Sequence, residues 1–499
     1  MCDGDLHTAL TRRRYGPASP LFTSKEIDTV RAATRLFAAA CALAALLVPA
    51  ANAADRMWTG FHDDPVLRFD GGRVEALDRA TANGASILRT LVEWHKLAPT
   101  KPANPGDPFD PAYKFDDLDE LVRNAQSRGI EMVLTVWGTP GWANGNQKPQ
   151  VAPTRMADFQ TFTRALAARY SGRYTGYPFV RFYGIWNESN IATFLVPQFD
   201  AQGRIVSPRT YAKLAAAGYA GVKAGNARAL VAIGETSSNG RDKKRAGVTD
   251  TVAPATFMKL VAQANKRLKF DAWAQHPYPF PVSQAPSQRT RYPNVTFSTL
   301  GQFERDLDKA FGRKNIPIWI TEYGHETKPG EPKGVTEAQQ AAYLPQALAL
   351  ARKNPRIPMF IWFVMQDSNG SLWQSGIYRS NGAPKPAQSR FAALAPPLSP
   401  VNGKLTVKGG TRNPTVTVYL RSFCANNAAG TSVGMTIRAS LAGKLVAVSQ
   451  TARPLGIDCT VSVPVAGLTV AKGKTYTVTL DPNTATTAAV ARTITIVGT

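Results

Sequence analysis

The stretch Val180 to Asn190, VRFYGIWNESN, opens as an apolar run rich in aromatic and β-branched residues and breaks off at Trp186, Asn187 and Glu188. The run reads as a buried strand. An amide and a carboxyl group pack poorly at its end, because burying polar groups without partners costs free energy. They suit a strand that opens into an active site. A second stretch, Ile316 to Glu326, IPIWITEYGHE, repeats the design with Glu322 at its end, 134 positions further on.

Working outward from these two, short apolar runs alternate with helix-patterned segments from Met57 to about Ala395. Strands are expected at Met57–His62, Ala85–Trp94, Glu131–Gly138, the WNE stretch, Leu230–Glu235, Phe270–His276, the Glu322 stretch and Pro358–Met365. Between them the spacing predicts helices over Leu118–Arg128, Arg155–Tyr170, Ser207 to Gly225, Pro254–Lys266, Thr299–Phe311 and Thr336 to Asn354, with a last one over Pro386–Leu394. Such alternation gives a parallel sheet wrapped by helices. Eight strands in about 340 residues fit a closed (β/α)₈ TIM barrel, and no glycine-rich loop follows the first strand as a dinucleotide fold requires.

After the stiff Pro-rich segment 396–402 the pattern changes to period two, with Val433, Met435 and Ile437, then Tyr476, Val478 and Leu480. Residues 403–499 therefore read as a small β-sandwich, Ig-like in its strand count, that either braces the barrel, the favoured reading, or binds glycan. Only Cys424 and Cys459 lie beyond the leader. An even pair in an exported protein reads as one disulfide, with two buried free thiols as the alternative.

Leu36–Ala50 is apolar, follows Arg31 and Arg35, and precedes the small-x-small triplet Ala51-Asn52-Ala53. Residues 1–53 thus read as a leader and signal peptide cleaved near Ala53/Ala54, with the true start further in, and the mature protein is expected to be secreted. No later run is long and apolar enough to cross a membrane. With 59 basic against 35 acidic residues the net charge is +24, of which the leader holds little. A secreted basic protein is drawn to anionic surfaces or polymers. No basic run interleaved with aromatics points to nucleic acid.

In barrels of this kind the active site lies at the C-terminal ends of the strands. Here the chain resembles the clan A glycoside hydrolases, retaining (β/α)₈ enzymes with an Asn-Glu pair ending strand four and a glutamate ending strand seven. IWNESN is similar to the WNEPN of family 39 and ITEYG to the nucleophile strand, with family 5 also open because Ser189 stands where proline is commoner. The resemblance spans about residues 60–400. It implies Glu188 as general acid/base, Glu322 as nucleophile, Arg89 orienting the nucleophile, Asn187, His276 and Tyr278 lining the pocket, and Trp362 as the aromatic floor of the cleaved subsite.

That chemistry needs two unlike carboxyls, one protonated to assist the leaving oxygen and one ionised to attack the anomeric carbon, about 5–5.5 Å apart. No cofactor or metal is required. The expected partner is a β-linked oligo- or polysaccharide, anionic if the charge is meaningful, cut by a monomer. Two other readings compete. A non-catalytic glycan-binding barrel would have no need of both glutamates. A metal-dependent hydrolase would draw on His62, Asp64, Glu235, His276 and Asp367, a set without a His-x-His pair. A transglycosylase would use the same two carboxyls.

Overall fold

The computed structural model describes residues 57–394 apart from 70, 368 and 370–372, and residues 404–499 apart from 421–426, 428, 457–459 and 483–491. The leader, the Pro-rich linker, Cys424 and Cys459 lie outside the described residues. No described helix is long and apolar enough to cross a membrane.

Eight parallel strands close into a barrel in sequence order: β1 Trp58–His62, β2 Ile87–Glu93, β3 Glu131–Trp137, β4 Phe182–Ile185, β5 Leu230–Thr236, β6 Ala272–Gln275, β7 Ile318–Tyr323 and β8 Met359–Phe363. β8 pairs back onto β1, Gly60 facing Ile361. Between and after them run α1 Arg73–Ala82, α2 Asp116–Ser127, α3 Met156–Arg169, α4 Ser207–Gly225, α5 Pro254–Ala264, α6 Phe297–Phe311, α7 Glu337–Lys353 and α8 Pro386–Leu394. The helices start and stop where the local chemistry directs. Pro208 sits in the first turn of α4, Thr336 caps α7 through a capping box with Gln339, and Gly312 ends α6 in the left-handed conformation. Sequence reading left out α1, whose Ala76, Leu77 and Ala80 form the buried face of a short, otherwise charged segment.

Side-chain alternation divides the strands into two layers. Ile87, Val133, Phe182, Ala232, Ala272, Ala274, Trp319, Met359 and Ile361 fill the barrel interior. Leu88, Leu134, Ile185, Ile233, Ile320, Phe360 and Trp362 face the helices and build the larger outer core. The interior residues sit low in the barrel, which leaves its upper end to polar groups.

Among the described residues the C-terminal region holds seven strands: β9 Lys404–Val407, β10 Thr415–Tyr419, β11 Ser432–Leu441, β12 Lys444–Pro454, β13 Thr460–Pro464, β14 Thr475–Pro482 and β15 Arg492–Gly498. They form a five-stranded sheet, β12-β11-β14-β15-β9, and a two-stranded sheet, β10-β13. The first is mixed, since β15 and β9 run parallel. Val433, Met435 and Ile437 meet Tyr476, Val478 and Leu480 in one core, as their period-two spacing requires. Phe179, in the segment leading into β4, is buried in that same core, and Ala429 donates its backbone N–H to Gly172 O (3.0 Å). The sandwich therefore grips the barrel at the N-terminal end of its strands, away from the mouth.

Candidate active site

The polar layer at the C-terminal end is built around Arg89, which points inward from β2 and is fully buried. Its Nη1 donates to Glu322 Oε1 (2.6 Å) and lies 2.6 Å from His62 Nδ1. Its Nη2 donates to Asn187 Oδ1 (2.6 Å) and to Glu235 Oε2 (2.5 Å), and its Nε donates to Thr135 Oγ1 (3.0 Å). One planar fork thus ties five strands together, the geometry for which guanidinium is suited and an ammonium is not. Glu235 is completed by Thr135 Oγ1 (2.9 Å).

Above this layer lie the two glutamates singled out in the sequence. Glu322 Oε2 accepts from Tyr278 OH (2.9 Å). His276 Nδ1 lies 3.0 Å from Glu188 Oε1 and 3.6 Å from Glu322 Oε2, and its Nε2 lies 3.1 Å from Thr321 Oγ1. One oxygen of each glutamate and one nitrogen of His276 fall within 4.8 Å of one another.

The two carboxyls are biased in opposite directions. Burial pushes Glu188 up, the charge of Glu322 adds to that, and the hydrogen bond with His276 opposes it without cancelling it. Burial would push Glu322 up as well, but the charges of His276 and Arg89 and the hydrogen bond with His62 outweigh it, holding the carboxyl well below the usual carboxylate range. Burial and Arg89 both oppose charging of His62, yet Asp64 and Glu322 raise it on balance. A site that favours the protonated form of one carboxyl and the ionised form of its neighbour is suited to donating a proton from the first and presenting the second as a nucleophile.

Two geometric devices aim the acids. Alternation from Trp319 and Thr321, both inward, would send Glu322 outward. The register of β7 on β8 shifts between Ile320 and Tyr323, and that irregularity brings Glu322 inside. On β5 the register shifts between Gly234 and Thr236, and Glu235 adopts φ 43°. Trp186 (φ 67°) and Glu188 (φ 35°) also occupy the left-handed region that non-glycine residues seldom adopt.

Of the pocket residues expected from the sequence, Glu188, Glu322, Asn187, Arg89, His276 and Tyr278 converge. Trp362 does not. It faces the helix layer, edge-on to Tyr323, and donates its Nε1–H to Ser375 O (2.8 Å). The inward aromatic of β8 is the next residue, Phe363, whose ring lies 5.0 Å from that of His62. Trp186 and Trp319 are likewise core, the first bonded to Phe194 O and the second packed on Phe182. Trp373, in the loop after β8, lies 5.3 Å from Tyr278 and supplies the aromatic wall instead. Sequence reasoning passed over Thr135, Thr321, Phe363 and Trp373. The first two follow from extending the inward positions of β3 and β7 by one step, whereas Trp373 carries no signal in its loop.

The residues weighed for a metal site are divided among different tasks. Asp367 pairs with Lys385 (2.6 Å), and Asp64 accepts from Thr90 Oγ1 (2.5 Å) and Leu91 N (3.0 Å). Among the described residues, only Glu188, His276 and Glu322 have the spacing to hold an ion. Arg89, charged and 2.6 Å from Glu322, opposes a cation there.

A closed barrel with this constellation at its mouth defines a glycosidase. The family model described as cellulase (glycosyl hydrolase family 5) matches residues 68–368, and the chain belongs to that family, within clan A of the glycoside hydrolases. Family 5 is thus one of the two families that the WNESN resemblance left open. Among solved structures, a family 39 glycoside hydrolase from the gut symbiont Bacteroides cellulosilyticus WH2 is similar with a TM-score of 0.51 at 18% identity, covering 83% of this chain and 82% of that one. Xylanase 10B from Thermotoga maritima gives 0.45 at 13% identity over 69% of this chain and 96% of its own. The first likeness shows a shared fold. No curated protein matches the chain.

Proposed function

We propose that the protein is a secreted retaining glycosidase that cuts a β-linked oligo- or polysaccharide by double displacement, with Glu188 as acid/base and Glu322 as nucleophile. The observation that carries this reading is the convergence of the two carboxyls within 4.8 Å through His276, with their pKa values driven apart. So close an approach of their oxygens supports the short carboxyl separation of a retaining enzyme, about 5–5.5 Å, over the about 6.5–9.5 Å that accommodates water in an inverting one.

In the first step Glu322 Oε2 or Oε1 attacks the anomeric carbon, while Glu188 gives its proton to the leaving oxygen. Arg89, His62 and Tyr278 position the nucleophile and steady its negative charge. Asn187 is held through Oδ1 by Arg89, so its Nδ2 is the group left to donate to a sugar hydroxyl. Glu188, now ionised, removes a proton from water, which attacks the glycosyl–Glu322 ester and restores the original anomeric configuration. His276, in contact with both carboxyls, relays the electrostatic change between the two steps.

The test is the product anomer, followed by NMR during hydrolysis of an aryl glycoside, together with mass spectrometry after inactivation by a 2-deoxy-2-fluoro glycoside. Retention and a label on the peptide containing Glu322 are expected. Inversion, or a label elsewhere, would refute the assignment.

A further inference from the structure

Resting on that reading, we propose that the substrate is an anionic polysaccharide, gripped on the Glu188 side of the cleft by a cationic rim built jointly by the loops after β5 and β6. The loop after β5 carries Arg241, Lys243, Lys244 and Arg245 within five residues, and the loop after β6 adds Arg289 and Arg291; all six are exposed. None of the six forms an ion pair among the described residues. The one acid within the run, Asp242, is turned onto the start of α5, where its carboxylate accepts from Ala253 N (2.9 Å) and Thr256 Oγ1 (2.7 Å).

The two loops form one surface. Gly240 N donates to Asn294 Oδ1 (3.1 Å), and Val295 N donates to Ser238 O (2.8 Å). Their root lies beside the reacting groups. Asn190, two residues beyond Glu188, donates through Nδ2 to Ser237 Oγ (2.9 Å) and accepts from Val252 N (2.8 Å). Ala192 N donates to Asp250 O (2.9 Å). Phe280, 50% exposed, stands on the same rim two residues past Tyr278.

Six like charges on adjoining loops repel one another, and Asp242 and Asp250 on the loop after β5 offset only part of that charge. A polyanion lying across the rim removes that repulsion, and placement at a cleft focuses the field on an incoming ligand. The exposed ring of Phe280 adds a flat face on which a sugar can stack. Glu188 meets the leaving oxygen in the proposed mechanism, so the acidic groups belong to sugars on the leaving-group side. A neutral glycan would gain nothing from these cations. Nucleic acids and anionic membranes share the charge but have no reason to lie at the two carboxylates.

The experiment measures binding of the full chain to a polyuronate, a sulfated glycan, a neutral β-glucan, single-stranded DNA and anionic phosphatidylserine vesicles. At least one of the acidic glycans is expected to bind about tenfold more tightly than the neutral one at low salt, and the preference should vanish near 1 M salt, where screening falls to about 3 Å. Carboxylate and sulfate are distinguished by which polymer binds. The Lys243→Gln/Lys244→Gln/Arg245→Gln variant should lose the preference, and the charge-retaining Lys243→Arg/Lys244→Arg/Arg245→Lys variant should keep it. Equal binding of neutral and acidic glycans, a salt-independent preference, or DNA or vesicles bound as tightly as the glycans would overturn the proposal. Hydrolysis of a neutral aryl glycoside, which is too short to reach the rim, reports separately on the two-carboxylate mechanism.

Discussion

Arg89 holds Glu322, Glu235 and Asn187 on one buried guanidinium, so its removal acts on stability and chemistry together. Arg89→Met leaves two carboxylates buried without their cation, and a loss of about 3–5 kcal/mol in denaturant unfolding is expected, as for other broken buried pairs. With Arg89 gone the pKa of Glu322 rises, so the acidic limb of the kcat/KM profile should move to higher pH. In the proposed mechanism, activity of the unaltered enzyme requires Glu322 ionised and Glu188 protonated. The depressed Glu322 places the acidic limb below the ordinary glutamate value of about 4.3, and the raised Glu188 places the basic limb above it. A bell-shaped profile straddling that value is expected from initial rates. The stability that Glu322 contributes has the matching sign: present above about pH 4.3 and lost as pH falls through its folded-state value. Glu188→Ala should retain the first step on activated aryl glycosides, seen as a pre-steady-state burst, and recover turnover with added azide. Glu322→Ala should abolish both.

Among the elements, the strand ends carry the design. β4 admits Glu235 only because Gly184 has no side chain. A Cβ there would stand 1.9 Å from Glu235 Oε1 and 2.6 Å from Thr135 Oγ1. Gly184→Ala should therefore cost about 1–3 kcal/mol, the usual range for overpacking, and displace Glu235 from Arg89. Gly106→Ala, where the nearest atom would lie at 3.6 Å, is the control and should be neutral in both thermal unfolding and turnover. The limits of the sequence reading also lie at this scale. The resemblance implied Trp362 as the subsite floor, but alternation from Met359 and Ile361 turns it outward and Phe363 inward. Glu235 and Glu322 reach the interior against that alternation, through register shifts that depend on pairing with β6 and β8. A single strand read alone does not reveal such a shift.

For the molecule as a whole, the sandwich and the active site lie at opposite ends of the barrel strands. Phe179 is the barrel's own residue in the sandwich core, with Ala429 bonded to Gly172 nearby. Phe179→Ala should loosen the junction by about 3–5 kcal/mol, the range for truncating a buried aromatic. Faster proteolysis of the C-terminal region is the expected sign. The kcat on an aryl glycoside should not change, because the site is built from the other end of the strands. A change in kcat would mean that the two ends communicate.

The sequence by itself determined the barrel, the sandwich and the two glutamates, because period, turn chemistry and a polar break at the end of an apolar strand are local properties of the chain. It also marked Arg89, Asn187, His276 and Tyr278 through the WNESN and ITEYG resemblance. Tertiary structure decided which strand-end groups face inward, that Glu235 and Thr135 share Arg89 with Glu322, and that Phe363 and Trp373 replace Trp362 beside the site. It also brought the basic segments 241–245 and 289–291 onto one rim. The reason is that side-chain direction at a strand end depends on register with its neighbours, and electrostatic bias depends on which charges that register brings within a few ångströms.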